Sequence, residues 1–140
     1  MTVFPKEMTA LLTEWQHDPL CAKDSFEQYA NLLATKDNVS FDFKARPGVS
    51  YSLRAKHAAQ TKRELFVLID VIDDEPESRW LSVCFYADMV TDPEETGDFV
   101  PQGLMGENAL CFNLDSHDPA MQAYIAQRLG EAASMAAQGE

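Results

Sequence analysis

A carboxylate stands where an apolar strand would bury it: Asp70, between Ile69 and Val71 in the run Leu65-Phe-Val-Leu-Ile-Asp-Val-Ile72. An unpaired buried carboxylate is costly, so Asp70 must lie on an open face or find a partner. If its environment raises its affinity for a proton, such a group is also a candidate acid. Arg54 is the expected cross-strand partner, and an Asp–Arg pair is the plain alternative to chemistry. An enzyme of unrecognised class would use Asp70 with Cys84 or Tyr86 beside it.

The second feature is a charge asymmetry. The chain of 140 residues carries 23 acidic and 11 basic side chains, a net charge of −12. Yet between residues 44 and 63 lie Lys44, Arg46, Arg54, Lys56, Lys62 and Arg63, together with His57 and no acid at all. An overall negative field repels phosphate backbones and anionic lipid heads, which argues against nucleic acid and membrane partners. The basic stretch instead suits a small anionic ligand or the acidic surface of a protein, a second copy included.

Other residues that could do chemistry carry weaker patterns. Cys21, Cys84 and Cys111 form no CxxC or Cys–His spacing for zinc, and read as buried free thiols. His17, His57 and His117 are scattered and read as solvated loop residues. Asp73-Asp-Glu-Pro-Glu77 and Asp92-Pro-Glu-Glu95 with Asp98 lack the alternation of a calcium loop and read as solvated turns. Gly103-Leu-Met-Gly106 has GxxG spacing without the basic residues that clamp a nucleic-acid backbone. No phosphate loop, nucleophile elbow, zinc-protease helix or dinucleotide fingerprint occurs, so neither a cofactor nor a metal is expected.

The elements that must position these residues follow from hydrophobic spacing. Met8, Leu11, Leu12 and Trp15 recur at helical intervals after Pro5, and His17-Asp-Pro19 ends that helix. A second helix is expected from about Lys23 to Ala34, with Phe26, Tyr29, Ala30 and Leu33 on one face and Asp24 and Glu27 in its first turn. Val39 to Phe43 and Tyr51 to Ala55 alternate with period two around Pro47-Gly48, a type II turn pair, and predict a hairpin. Glu64 to Ile72 and Arg79 to Tyr86 predict two further strands. The stretch 88–108 loses periodicity and is expected to be functional, a packed Ω-type loop, or the place of a short helix that the spacing does not reveal. Ala109 to Asn113 predicts a fifth strand. Asp118-Pro119 caps a last helix striped with Met121, Tyr124, Ile125, Leu129, Ala132 and Met135, whose end from Ala136 to Glu140 is expected to fray.

The expected fold is therefore one α+β domain over residues 1–140. It is a two-layer sandwich with an antiparallel sheet of about five strands, covered on one face by two N-terminal helices and a C-terminal helix. Its content of 46% hydrophobic residues supports a proper core. No apolar run approaches a membrane span and the amino terminus shows no export signal, which reads as a soluble protein of the cytoplasm. Leu110-Cys-Phe-Asn-Leu-Asp115, followed by Pro119 and the closing helix, resembles the strand, acidic turn and helix of small bacterial α+β domains of the YdhG-like, frataxin-like type. The resemblance implies a fold and no activity. The longer acidic first helix of a true frataxin is missing, so iron delivery does not carry over.

Strand parity sharpens the site. Phe41, Phe43, Tyr51, Leu53, Leu65, Val67, Ile69, Val71, Leu81, Val83 and Phe85 should face the helices. The opposite face then carries Asp42, Lys44, Ser50, Ser52, Arg54, Phe66, Leu68, Asp70, Trp80, Ser82, Cys84 and Tyr86. That mixture of charge, hydroxyl and aromatic groups suits a subunit interface, a ligand concavity or a solvated face. The candidate ligand or interface residues are Lys44, Arg46, Arg54, Lys56, Asp70, Trp80, Ser82, Cys84 and Tyr86. The expected function is a non-catalytic binding or protein-interaction module, self-associating through this face. The alternative is a protein that binds a small anion on the basic hairpin.

Overall fold

The computed structural model describes residues 4–139. Met1–Val3, which enter the reading of the amino terminus, and Glu140, the last residue of the expected fraying end, lie outside the described residues. Three helices and six strands follow one another as α1 (Lys6–Glu14), α2 (Ala22–Ala34), β1 (Val39–Arg46), β2 (Ser50–His57), β3 (Val67–Ile72), β4 (Trp80–Tyr86), β5 (Asp98–Leu104), β6 (Glu107–Leu114) and α3 (Pro119–Gln138). The strands form one sheet in the order β1-β2-β3-β4-β6-β5, and every neighbouring pair is antiparallel. Among the described residues, no helix is long and apolar enough to cross a membrane.

Local chemistry explains the turns and caps. Gly48 takes a φ of 85° and the Val49 amide donates to the Arg46 carbonyl at 2.9 Å, closing the tight turn that Pro47-Gly48 suits. Asp118 accepts from the Met121 amide at 3.1 Å and Pro119 opens α3, as its sequence predicts. Asp18 has a role its sequence position hides. Its two carboxylate oxygens accept the Ala22 and Lys23 amides at 2.7 and 3.1 Å and so close the start of α2. The carboxy-terminal helix does not fray at Ala136: that residue is buried and the helix continues to Gln138.

The sixth strand hides in the stretch where periodicity fails. β5 is an edge strand exposed along most of its length, so no burial alternation marks it, and its pairing with β6 shifts register between Val100 and Leu104. Met105 and Gly106 both have positive φ, 51° and 80°, and join β5 to β6 as a two-residue hairpin. This is the conformation a primed turn requires. The Gly103–Gly106 spacing is therefore turn geometry.

All three helices cover the same face of the sheet. α1 packs on β1, α2 on β1, β3 and β4, and α3 on β2 and β6. Trp15, Phe26, Leu53, Val67, Val83, Tyr124 and Ile125 are buried in one cluster, and Phe41 packs against it partly exposed. Phe41 and Val83 share the helix-side face, as parity requires.

Candidate functional site

The face turned away from the helices can be read in rows, because the register places residues of four to six strands side by side. One row runs Asp42, Arg54, Leu68, Cys84, Cys111 and Asp98. The next runs Lys44, Ser52, Asp70, Ser82 and Asn113, and the third Arg46, Ser50, Ile72 and Trp80. Arg54, Leu68, Asp70, Ile72, Trp80 and Ser82 are all half-buried although no helix covers them. The face thus combines a charged β1–β2 side, a mixed centre and a β6–β5 side with exposed Asp98.

Asp70 sits at the centre of this face. The Ser52 hydroxyl donates to Oδ1 in a short hydrogen bond. The expected ion pair with Arg54 does not form, and register is the reason. Arg54 stands opposite Asp42 and Leu68, one row away, whereas Asp70 stands opposite Ser52 and Ser82. Burial pushes the Asp70 carboxyl up from its ordinary range, and the Ser52 hydrogen bond, Arg54 and Arg46 only partly oppose it. Arg54 meanwhile keeps a buried Nε with no hydrogen-bond partner.

The basic stretch is divided by the fold. Lys56 is spent on Asp42 at 2.6 Å. Arg63 is clamped by Asp88 and Glu107 at 3.0 and 2.7 Å, and its guanidinium lies 4.1 Å from the centre of the Tyr86 ring. The hydrogen bond from Arg63 also holds the Glu107 carboxyl below its usual range. Among the described residues, Lys44, Arg46 and Arg54 have no carboxylate within 4.0 Å. The predicted electropositive segment is therefore a smaller patch on β1 and β2.

Three expectations at this site need correction. Tyr86 is buried beneath Arg63, so it offers no accessible phenol on the open face. Phe66 precedes β3 and is fully buried, because residues 58–66 form a connection and the strand begins only at Val67. Cys84 is not a free thiol: it faces Cys111 across the β4–β6 ladder, and the two are joined as a disulfide. Only Cys21 remains free, half-buried at the start of α2.

A buried ionic cluster escapes the sequence reading altogether. Asp73, 2% exposed, accepts from Arg79 Nε at 2.6 Å and from the Gly48 amide at 2.7 Å, where a solvated turn was expected. Arg79 also meets Glu14 at 2.9 Å and lies 5.5 Å from the Trp15 ring and 5.6 Å from the Tyr51 ring. This cluster ties α1, the β1–β2 turn and β4 together. Asp92 likewise leaves the solvated class, accepting from Tyr124 at 2.5 Å and from the Gly97 and Thr96 amides at 2.9 and 3.1 Å. His57 is also engaged, its Nδ1 accepting the Ala59 amide at 3.0 Å.

A cleft of about 420 Å³ opens between the starts of α2 and α3, lined by Asp18, Cys21, Asp24, His117 and Asp118 among others. Asp18 and Asp118 already take backbone amides of both helix starts, and the lining is acidic, so it does not suit an anion. Among the described residues no group of three or more His, Cys, Asp or Glu side chains could hold a metal ion. No protein-family model, curated protein or solved structure matches this chain.

Proposed function

We propose that the protein is an interaction module whose uncovered sheet face docks on the same face of a second copy. The observation that carries this reading is the centre of the face, where Leu68, Ile72 and Trp80 lie half-buried with no helix over them and Arg54 stands beside them with no carboxylate within 4.0 Å. Residues left in that state gain from a surface that removes water and supplies acceptors.

Two isologous stackings are available, and the side chains favour one. With a two-fold axis parallel to the strands, β3 of one copy lies over β4 of the other. Leu68 then meets the disulfide, Asp70 meets Ser82 and Ile72 meets Trp80, while β1 lies over β5: Lys44 and Arg46 approach the side that carries Asp98 and Asp115, and the carboxylate directly over Asp98 is Asp42, which Lys56 already pairs. An axis across the strands would set Asp70 on Asp70 and the basic β1–β2 side on itself. Like charges brought together away from water oppose that arrangement.

A small-anion site is the less supported alternative. Lys44 and Arg54 do line a hollow of about 530 Å³ at the β1 edge, but Glu7 and Asp42 line it too. Sedimentation velocity across protein concentration and salt tests the proposal. A dimer that weakens as salt rises supports it. A monomer at every concentration and salt would overturn it.

A further inference from the structure

Cys84 and Cys111 lie half-buried on the uncovered face, directly opposite each other on β4 and β6, with Leu68, Ser82 and Asp98 as neighbours in the rows. The ladder pairs Leu81 through Tyr86 with Leu114 through Ala109 on both sides of the two cysteines. Opening the sulfur–sulfur bond therefore leaves the strands in register and the two sulfurs facing each other. A bond that can open without unfolding, on a face no helix covers, is placed for exchange as much as for support.

We propose that the Cys84–Cys111 pair is a thiol–disulfide exchange site for low-molecular-weight thiols. This inference stands on the cysteine pair and its neighbours and is independent of self-association. The incoming thiolate attacks Cys111 Sγ, forming a mixed disulfide there, and the electron pair of the broken bond leaves on Cys84 Sγ. The thiolate at Cys84 then takes a proton from solvent. A second small thiolate attacks the small-molecule sulfur of the mixed disulfide and releases Cys111 as a thiolate, which is protonated in turn. In sum two small thiols are oxidised to one disulfide and the protein disulfide is reduced to two thiols; the reverse sequence closes the pair.

The neighbours set that direction. The Ser82 hydroxyl lies 3.8 Å from Cys84 Sγ and can donate to a thiolate forming there. Cys111 stands opposite Asp98, whose carboxylate opposes negative charge on its sulfur. Since the better-stabilised thiolate leaves faster, Cys84 is the leaving group and Cys111 the point of attack. Cys21 stands at the start of α2, which packs on the opposite face of the sheet, and does not compete as the resolving thiol.

The test uses the oxidised native protein at high dilution, where the face is uncovered, in buffers of reduced and oxidised glutathione. Rapid alkylation and peptide mass analysis count thiols and locate adducts, while circular dichroism follows the fold. The expected result is a reversible two-thiol transition with the folded signal unchanged. A transient glutathione adduct should appear on Cys111 in about tenfold excess over Cys84, and Ser82→Ala should slow opening about threefold. Three alkylatable thiols after exposure to oxidised glutathione would overturn the site. So would a disulfide that opens only when denaturant unfolds the chain. An adduct found equally on both cysteines, or mainly on Cys84, would overturn the assigned direction.

Discussion

Asp70 and Asp73 are three residues apart on β3 and its exit, yet the fold treats them in opposite ways. Asp73 is buried with the Arg79 guanidinium and the Gly48 amide on its oxygens. Asp70 is half-buried with a serine hydroxyl and no cation within ion-pair distance among the described residues. The first carboxylate is fully used within the chain, holding a turn, a helix and a strand together. The second raises the cost of its own charge and leaves the face around it incomplete. That difference separates architecture from a surface kept available.

Removing Asp73 should break the comparison most severely. Asp73→Ala leaves the Arg79 guanidinium buried with only Glu14 as a counter-ion, and should cost about 3–5 kcal/mol in urea unfolding. Truncating the helix-side core comes next: Leu53→Ala or Ile125→Ala should each cost about 2–4 kcal/mol, because the cavity left behind collapses only in part. Equal losses from these and from surface variants would mean that the core is wrongly placed.

Asp70→Asn should behave differently in size and in sign. Burial raises the Asp70 carboxyl in the folded state, so the folded chain binds that proton more readily than the unfolded one. Its contribution to stability is therefore greatest below the unfolded value of about 3.9 and declines as pH rises to the raised folded value. Asp70→Asn should remove that decline, leaving stability near neutral pH unchanged or slightly higher. Asp92 has the opposite sign: although burial alone would raise it, bonds from Tyr124, Gly97 and Thr96 hold it below its usual value. Its contribution is present above the unfolded pKa and is lost as pH falls through the folded one. Unfolding curves from pH 3 to 7 for Asp70→Asn and Asp92→Asn should thus diverge from wild type in opposite directions. The smallest effect belongs to Glu94→Ala, which trims an exposed side chain and is expected within about 0.5 kcal/mol of wild type.

Parity and spacing made much of this architecture legible. The helical stripes, the Pro47-Gly48 turn, the Asp118-Pro119 helix start and the face assigned to Asp70 all follow from local pattern. What stayed hidden depends on contacts distant in sequence or on the absence of burial. β5 shows no alternation because both its sides meet solvent, and Pro101 with the glycines around it disguises the strand. The Cys84–Cys111 pair needs the β4–β6 register across a separation of 27 residues, and that register passes around an unrecognised strand. Asp73 sits among acidic turn residues of the same type, and only the approach of Arg79 and Gly48 distinguishes it. Arg54 and Asp70 were brought to one face, but a single row of register decides whether they touch.

The most direct test of the docking face is a charge-swap mixture followed by sedimentation velocity. Lys44→Glu with Arg46→Glu removes the basic side, and Asp98→Lys with Asp115→Lys removes the acidic side; all four residues are exposed, so both variants should fold. Each variant alone should sediment as a monomer at low salt, and an equimolar mixture should recover dimer, because each reversed basic side then meets a reversed acidic one. If each variant alone dimerises as well as wild type, or if the mixture stays monomeric while wild type dimerises, the stacking of β3 over β4 about an axis parallel to the strands is contradicted.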